Sequence, residues 1–115
     1  MKKKNVIDEN YLDKIPSHKE ELKWSIDDKQ LVTLEMENKG VVNRIAQKLI
    51  RKPKISYIHL EEFGSYIWTN IDSKKSIYEI GKMVEEHFGE KANPLYDRLA
   101  TYFKTLESYG FVDLK

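Results

Sequence analysis

An α+β fold, with a small three-stranded antiparallel sheet followed by three helices, is predicted by three observations. Residues 22–36 alternate apolar and polar side chains about an Asp-Asp-Lys turn. Residues 55–60 alternate again, and residues 61–109 change to helical spacing interrupted by capping signals.

In the first segment Leu22, Trp24 and Ile26 alternate with Lys23 and Ser25, Asp27-Asp28-Lys29 supplies the turn, and Leu31 to Met36 is rich in strand formers. The spacing predicts a hairpin, which Asn38-Lys39-Gly40 closes. From Val41 two series step by four, Val41-Ile45-Leu49 and Val42-Ala46-Ile50, and predict a short helix ending before Pro53. Ile55 to Leu60 then forms the third strand.

The first of the three closing helices is expected from about Glu61 to Ile71, with Phe63, Ile67 and Ile71 on one face and acidic residues at the positive end of the helix dipole. Gly64 interrupts it at a cost of about 1 kcal/mol relative to alanine, which implies close approach of another backbone. Ser76-Ile77-Tyr78-Glu79 is a capping box that opens the second helix; Ile77, Ile80, Val84 and Phe88 face inward and Gly89 ends it. Asn93 as cap and Pro94 at the first helical position open the third, which places Leu95, Leu99, Tyr102, Phe103 and Leu106 on one side and stops at Gly110. Phe111 to Leu114 is a short apolar tail expected to pack back. Residues 1–21 show little periodicity and are expected to be a flexible or loosely docked arm, with Tyr11, Leu12 and Ile15 as docking points, ahead of one domain over 22–115. The sum is the outline of a winged helix-turn-helix.

With 115 residues the chain has room for one ordinary domain, and 40% hydrophobic with 34% charged residues describe a globular chain with a well solvated surface. The net charge of +1 conceals an uneven distribution. Lys and Arg against Asp and Glu number 8 to 9 over residues 1–40, 5 to 0 over 41–60, and 7 to 10 over 61–115. The basic block is Arg44, Lys48, Arg51, Lys52 and Lys54. The absence of cysteine excludes disulfides, thiolate metal sites and cysteine nucleophiles, and is compatible with a reducing compartment. Acidic residues and Pro16 follow Met1-Lys-Lys-Lys where a signal peptide needs an apolar run, and no stretch has the length of apolar residues that spans a bilayer, so a cytoplasmic location is expected.

Nothing in the sequence forms a catalytic constellation. His18, His59 and His87 have no companions at metal-ligand or triad spacing, and His59 reads as an ordinary strand residue. Glu61-Glu62 suits a helix N-terminus better than a carboxylate dyad, because adjacent helical residues point in different directions. No phosphate-binding glycine motif or metalloprotease motif occurs. No cofactor and no enzymatic activity are expected.

Two binding classes remain, with a purely structural subunit of an assembly as a third. A DNA-binding regulator needs a basic recognition helix, but residues 94–109 set Arg98 and Lys104 against Asp97 and Glu107. Only the basic block would touch phosphate, as part of a wing. Peptide binding needs an open sheet edge and a neighbouring helix with pockets. Ile55 to Leu60 supplies the edge if it lies outermost, and Arg98, Thr101, Tyr102 and Thr105 supply the helix side. The basic block would then speed the approach of an acidic partner.

His59-Leu60-Glu61-Glu62-Phe63-Gly64-Ser65-Tyr66-Ile67-Trp68, then Ile71-Asp72, then Ser76-Ile77-Tyr78-Glu79-Ile80 resembles the signature of the PqqD family. That signature is a Leu-(Asn/Asp)-Glu-x-Gly run leading to an Asp-Gly turn and a Thr-(Val/Ile)-x-Glu-Ile helix start. The likeness continues through Leu99, Phe103, Leu106 and Gly110 and covers roughly residues 22–114. Glu61 stands where the family has Asn or Asp, and Ser73 where it has Gly. The resemblance implies a winged-helix peptide chaperone, which binds the leader of a ribosomally made precursor between third strand and third helix and presents it to a modifying enzyme of the radical S-adenosylmethionine type. Carried to this chain, it implies a cleft of Ser56, Tyr57, Ile58 and His59 facing Arg98, Tyr102 and Thr105.

Overall fold

The structure, a computed structural model, describes residues 9–38 and 54–115. The expected hairpin forms from β2 (Lys23–Ile26) and β3 (Val32–Asn38), and β4 (Lys54–His59) joins on the other side of β3, so the order is β2-β3-β4 with both pairings antiparallel. Asp27 makes the turn: its Oδ1 accepts from the amides of Lys29 at 2.8 Å and Leu31 at 2.9 Å, which permits a left-handed Gln30 at φ 68°. Trp24, Leu34 and Ile58 lie opposite one another across the three strands, and Ser25, Thr33 and His59 do likewise one residue along. Directly opposed residues share a face. Val32 and Leu34 are therefore fully buried on the inner face, while Tyr57 and His59 stand exposed on the outer one.

Three helices cover the inner face: α2 (Glu62–Thr69), α3 (Ile77–Phe88) and α4 (Leu95–Ser108), with the single-turn α1 (Glu9–Leu12) ahead of the sheet. Ile67 and Trp68 of α2, Ile77, Ile80 and Val84 of α3, and Leu99 and Phe103 of α4 are all fully buried with the two β3 residues in one core. Each such aliphatic or Phe side chain contributes on the order of 1.5–3 kcal/mol on leaving water. Ser65, 1% exposed, joins helix to sheet. Its Oγ accepts from the Val32 amide at 2.9 Å and donates to the Leu60 carbonyl at 3.3 Å, so it bridges main-chain groups that pair directly elsewhere in the ladder.

The helix ends correct the expectations in two places. α2 stops at Thr69 because Asn70 leaves the helical range and donates from Nδ2 to the Tyr66 carbonyl at 2.8 Å. Asn93 is not the cap of α4. A 3₁₀ turn over Gly89–Ala92 follows α3, and Asn93 ends that turn in an extended conformation, with ψ 145°, as the residue before a proline prefers. Pro94 is the N-cap and makes no side-chain cap bond. The capping box of α3 is as expected: the Glu79 amide donates to Ser76 Oγ at 3.1 Å and the Ser76 amide to Glu79 Oε1 at 2.8 Å. Gly89 at φ 62° ends α3, and Gly110 at φ 80° follows α4.

A second, two-stranded sheet was not anticipated. β1 (Pro16–His18) pairs antiparallel with β5 (Val112–Leu114), placing Ser17 opposite Asp113. Thus the apolar tail does pack back, and its partner comes from the segment before residue 22. The His18 ring stacks on Trp68 with centroids 4.0 Å apart and its Nε2 lies 3.0 Å from the Trp68 carbonyl oxygen. Trp24 meets both rings edge-on, at 5.6 and 5.9 Å. α1 docks nearby, with the Lys104 ammonium 5.2 Å from the Tyr11 ring. Burial, reinforced by the charge of Glu107, pushes the Tyr11 hydroxyl pKa up to about 12.

The helix expected over residues 41–50, and with it Arg44 and Lys48, lies outside the described residues, as do Arg51 and Lys52. Lys54 is the first residue of β4.

Candidate functional site

The hydrogen-bond phase of the sheet decides what β4 offers. In an antiparallel ladder, alternate residues direct both main-chain groups to the same neighbour. The Leu60 amide donates to the Val32 carbonyl at 2.8 Å and the Asp27 amide to the Leu31 carbonyl at 3.0 Å. With the observed register, even-numbered β3 residues face β4 and odd-numbered ones face β2. Ser56, Ile58 and Leu60 therefore spend their main-chain groups on β3. Ile55, Tyr57 and His59 direct theirs away from β3, to an edge on which no described strand is paired. Ile55 is 40% and Tyr57 58% exposed.

The same phase corrects the cleft expected from the sequence. Four consecutive strand residues cannot all face one helix, because the side chains alternate. Ser56 and Ile58 point to the helical side, and Ile58 packs on the core. Tyr57 and His59 project from the outer face, where His59 Nδ1 lies 2.9 Å from Thr33 Oγ1.

On the helix side Arg98 and Tyr102 do come together. The Tyr102 hydroxyl donates to the Gly64 carbonyl at 2.7 Å, and burial raises its pKa further above the ordinary phenol value. This contact explains Gly64. A Cβ there would lie 3.1 Å from the Tyr102 ring, so the close neighbour is an aromatic side chain and not the backbone expected. The Arg98 guanidinium lies 3.8 Å from the centre of Phe63 and its Nη1 donates to the Lys91 carbonyl at 2.7 Å. Together Phe63, Arg98, Thr101 and Tyr102 line a shallow, largely apolar pocket at the start of α2, just beyond the end of β4.

Thr105 is exposed one turn further along α4. Two turns beyond Tyr102, Tyr109 is 58% exposed. It borders a second groove, lined by the charged Lys19, Glu21, Lys23 and Glu35 as well as by Leu22, Met36, Ile55 and Phe111. Phe63, Ile55 and Tyr109 were missed as site residues, although Tyr109 continues the spacing of Arg98, Tyr102 and Thr105 on one side of α4.

Among the described residues no group of three or more His, Asp or Glu side chains is arranged to hold a metal ion, and no helix is long and apolar enough to cross a membrane. Fold and site together define a small α+β protein in which no described strand pairs with the outer edge of β4. The chain belongs to the PqqD family: the family model for coenzyme PQQ synthesis protein D matches residues 32–112. No curated protein and no solved structure matches the chain. Membership suggests an accessory, non-catalytic protein of coenzyme PQQ synthesis.

Proposed function

We propose that the protein is a non-catalytic peptide chaperone of winged-helix type, which takes the leader of a ribosomally made precursor as an added strand on β4 and presents it to a modifying enzyme of the radical S-adenosylmethionine class. The observation that carries this reading is the outward direction of the main-chain groups of Ile55, Tyr57 and His59. An extended peptide satisfies such an edge without any change in the fold, and the pockets flanking α4 receive its side chains. Ser56 and Ile58 form the floor of the cleft, Arg98, Tyr102 and Thr105 its wall, and Tyr57 and His59 contribute through their main chain. The basic residues Arg44, Lys48, Arg51, Lys52 and Lys54 would steer an acidic leader. A cytoplasmic site of action accords with this role.

The alternative, a DNA-binding regulator, finds no favouring feature on α4, where Asp97 and Glu107 offset Arg98 and Lys104 and Arg98 is engaged by Phe63 and the Lys91 carbonyl.

Amide NMR with the leader of a short precursor encoded beside the gene tests the reading, with a random DNA duplex as control. Shifts centred on residues 55–60 and 98–109 are expected with peptide, and Tyr57→Pro, which removes an outward amide, should weaken binding at least tenfold. Unchanged affinity in a folded Tyr57→Pro protein, or shifts with duplex alone, would refute it.

A further inference from the structure

The main sheet has a second margin at β2, and among the described residues no strand pairs with its outer side. The phase that orients β4 orients β2 as well. With the Asp27 amide on the Leu31 carbonyl at 3.0 Å and the observed register, Lys23, Ser25 and Asp27 direct their main-chain groups to β3, while Trp24 and Ile26 direct theirs outward. All four residues of β2 are exposed. Trp24 and Ile26 lie opposite the buried Leu34 and Val32 and so face the helical layer, yet 38% of Trp24 and 41% of Ile26 stays in contact with water. Sheet edges are usually blunted by a proline, a bulge or an inward-pointing charge. Lys23 to Ile26 has none of these: its pairing with β3 is continuous, and its charged residue lies on the outer face.

The strand is complementary to itself. Two copies set antiparallel about a two-fold axis through Ser25 place Trp24 opposite Ile26 of the second copy, so the outward residues of each satisfy both main-chain groups of the other. The same register places Lys23 opposite Asp27 of the second copy. The turn uses Oδ1 of Asp27, and the Lys23 ammonium would take Oδ2. Neighbouring axes fail. An axis at Trp24 pairs Ile26 with Leu22, whose amide already donates to the Lys19 carbonyl at 3.2 Å. An axis at Ile26 pairs Trp24 with Asp28, which lies inside the turn.

We infer that β2 is a self-association edge, at which a second copy of this chain pairs antiparallel about Ser25 and joins the two main sheets into one. The occupant is a second copy because a single register matches apolar with apolar side chains and Lys with Asp in both halves at once. On the helical side Trp24 and Ile26 of the two copies cover one another, and on the outer face the Lys–Asp pairs flank Ser25. β4 lies on the far side of β3, so both β4 edges stay open at the ends of the joined sheet, and the inference does not depend on what β4 binds. A contact built on so short a strand belongs to the weak, transient class of interfaces.

Sedimentation velocity of the full chain from about 10 μM to about 1 mM provides the test. The mean mass should climb towards twice that of one chain, and Ile26→Pro, which removes an outward amide at an exposed position, should weaken association at least tenfold. The register is read separately. The sequence has no cysteine, so Ser25→Cys carries a single thiol that the axis sets against its own copy. Opposed residues that do not exchange main-chain bonds have Cα atoms roughly 4.5 Å apart, within disulfide range. Under mild oxidation Ser25→Cys should cross-link at least tenfold faster than Glu86→Cys, an exposed control on α3. A chain that stays monomeric to about 1 mM, a folded Ile26→Pro chain that associates like the parent, or Ser25→Cys cross-linking no faster than the control would overturn the inference. Should circular dichroism show Ile26→Pro unfolded, the cross-linking rates decide.

Discussion

Ser73 occupies a conformation that suits glycine. Its φ is 66°, in the turn where the preceding Asp72 accepts from the Lys74 and Lys75 amides, each at 2.9 Å, and from the Lys75 ammonium at 2.7 Å. The Lys75 side-chain bond, followed by the two amides, holds the Asp72 carboxyl well below the usual carboxylate range. A left-handed non-glycine residue costs roughly 1 kcal/mol, so Ser73→Gly should raise the unfolding free energy by about that much, read as a higher urea midpoint, without touching any packed atom. Tyr102 provides the opposite case. Tyr102→Phe leaves the Gly64 carbonyl without its hydroxyl donor, and a loss of about 1 kcal/mol in chemical denaturation is expected. If peptide affinity falls by more than this stability loss explains, the phenol orients the pocket wall as well as holding α4 to α2.

At the level of elements, β4 is asymmetric in what it tolerates. Ile58 gives its amide to β3, so Ile58→Pro removes a ladder bond, strains the strand and should unfold or strongly destabilise the sheet. Tyr57→Pro removes an amide that faces outward and should leave thermal stability much nearer that of the parent, which circular dichroism melts of the two variants will distinguish. Much of this element structure was legible in the sequence. Alternation marked all three strands of the main sheet, Ser76 and Glu79 announced their cap, and Gly89 and Gly110 marked two helix ends. What was not legible depended on partners distant in the chain. Pro16–His18 has too few residues to show a period, and becomes a strand only because Val112–Leu114 lies beside it. The 3₁₀ turn displaced Asn93 from the cap of α4 because Pro94 dictates the conformation of its predecessor. The residues expected to form the cleft lie on β4 and α4, but their outward or inward direction awaited the hydrogen-bond phase, which a single strand does not reveal.

For the molecule as a whole, the ring cluster of His18, Trp24 and Trp68 joins β1, the β2–β3 hairpin and α2. Burial lowers the pKa of His18 below its usual value, partly opposed by the bond to the Trp68 carbonyl. In the unfolded chain the imidazole titrates near its ordinary pKa of about 6.5. As pH falls below that value the unfolded state takes up the proton first, so the contribution of His18 to stability is complete above about pH 6.5 and is lost as pH falls through the lower folded-state pKa. Urea midpoints measured from pH 8 to pH 5 should decline over that window, and His18→Gln should flatten the decline.

The same cluster determines what light the protein emits. Both of its tryptophans belong to it, one stacked on an imidazole and the other edge-on to the same ring. Indole emission will therefore register the undocking of β1 and the loosening of the hairpin, with brightening as the imidazole departs. Peptide arriving at the far edge of the sheet meets no indole, so a titration followed by tryptophan emission would stay flat through saturation, and the dye has to travel on the ligand.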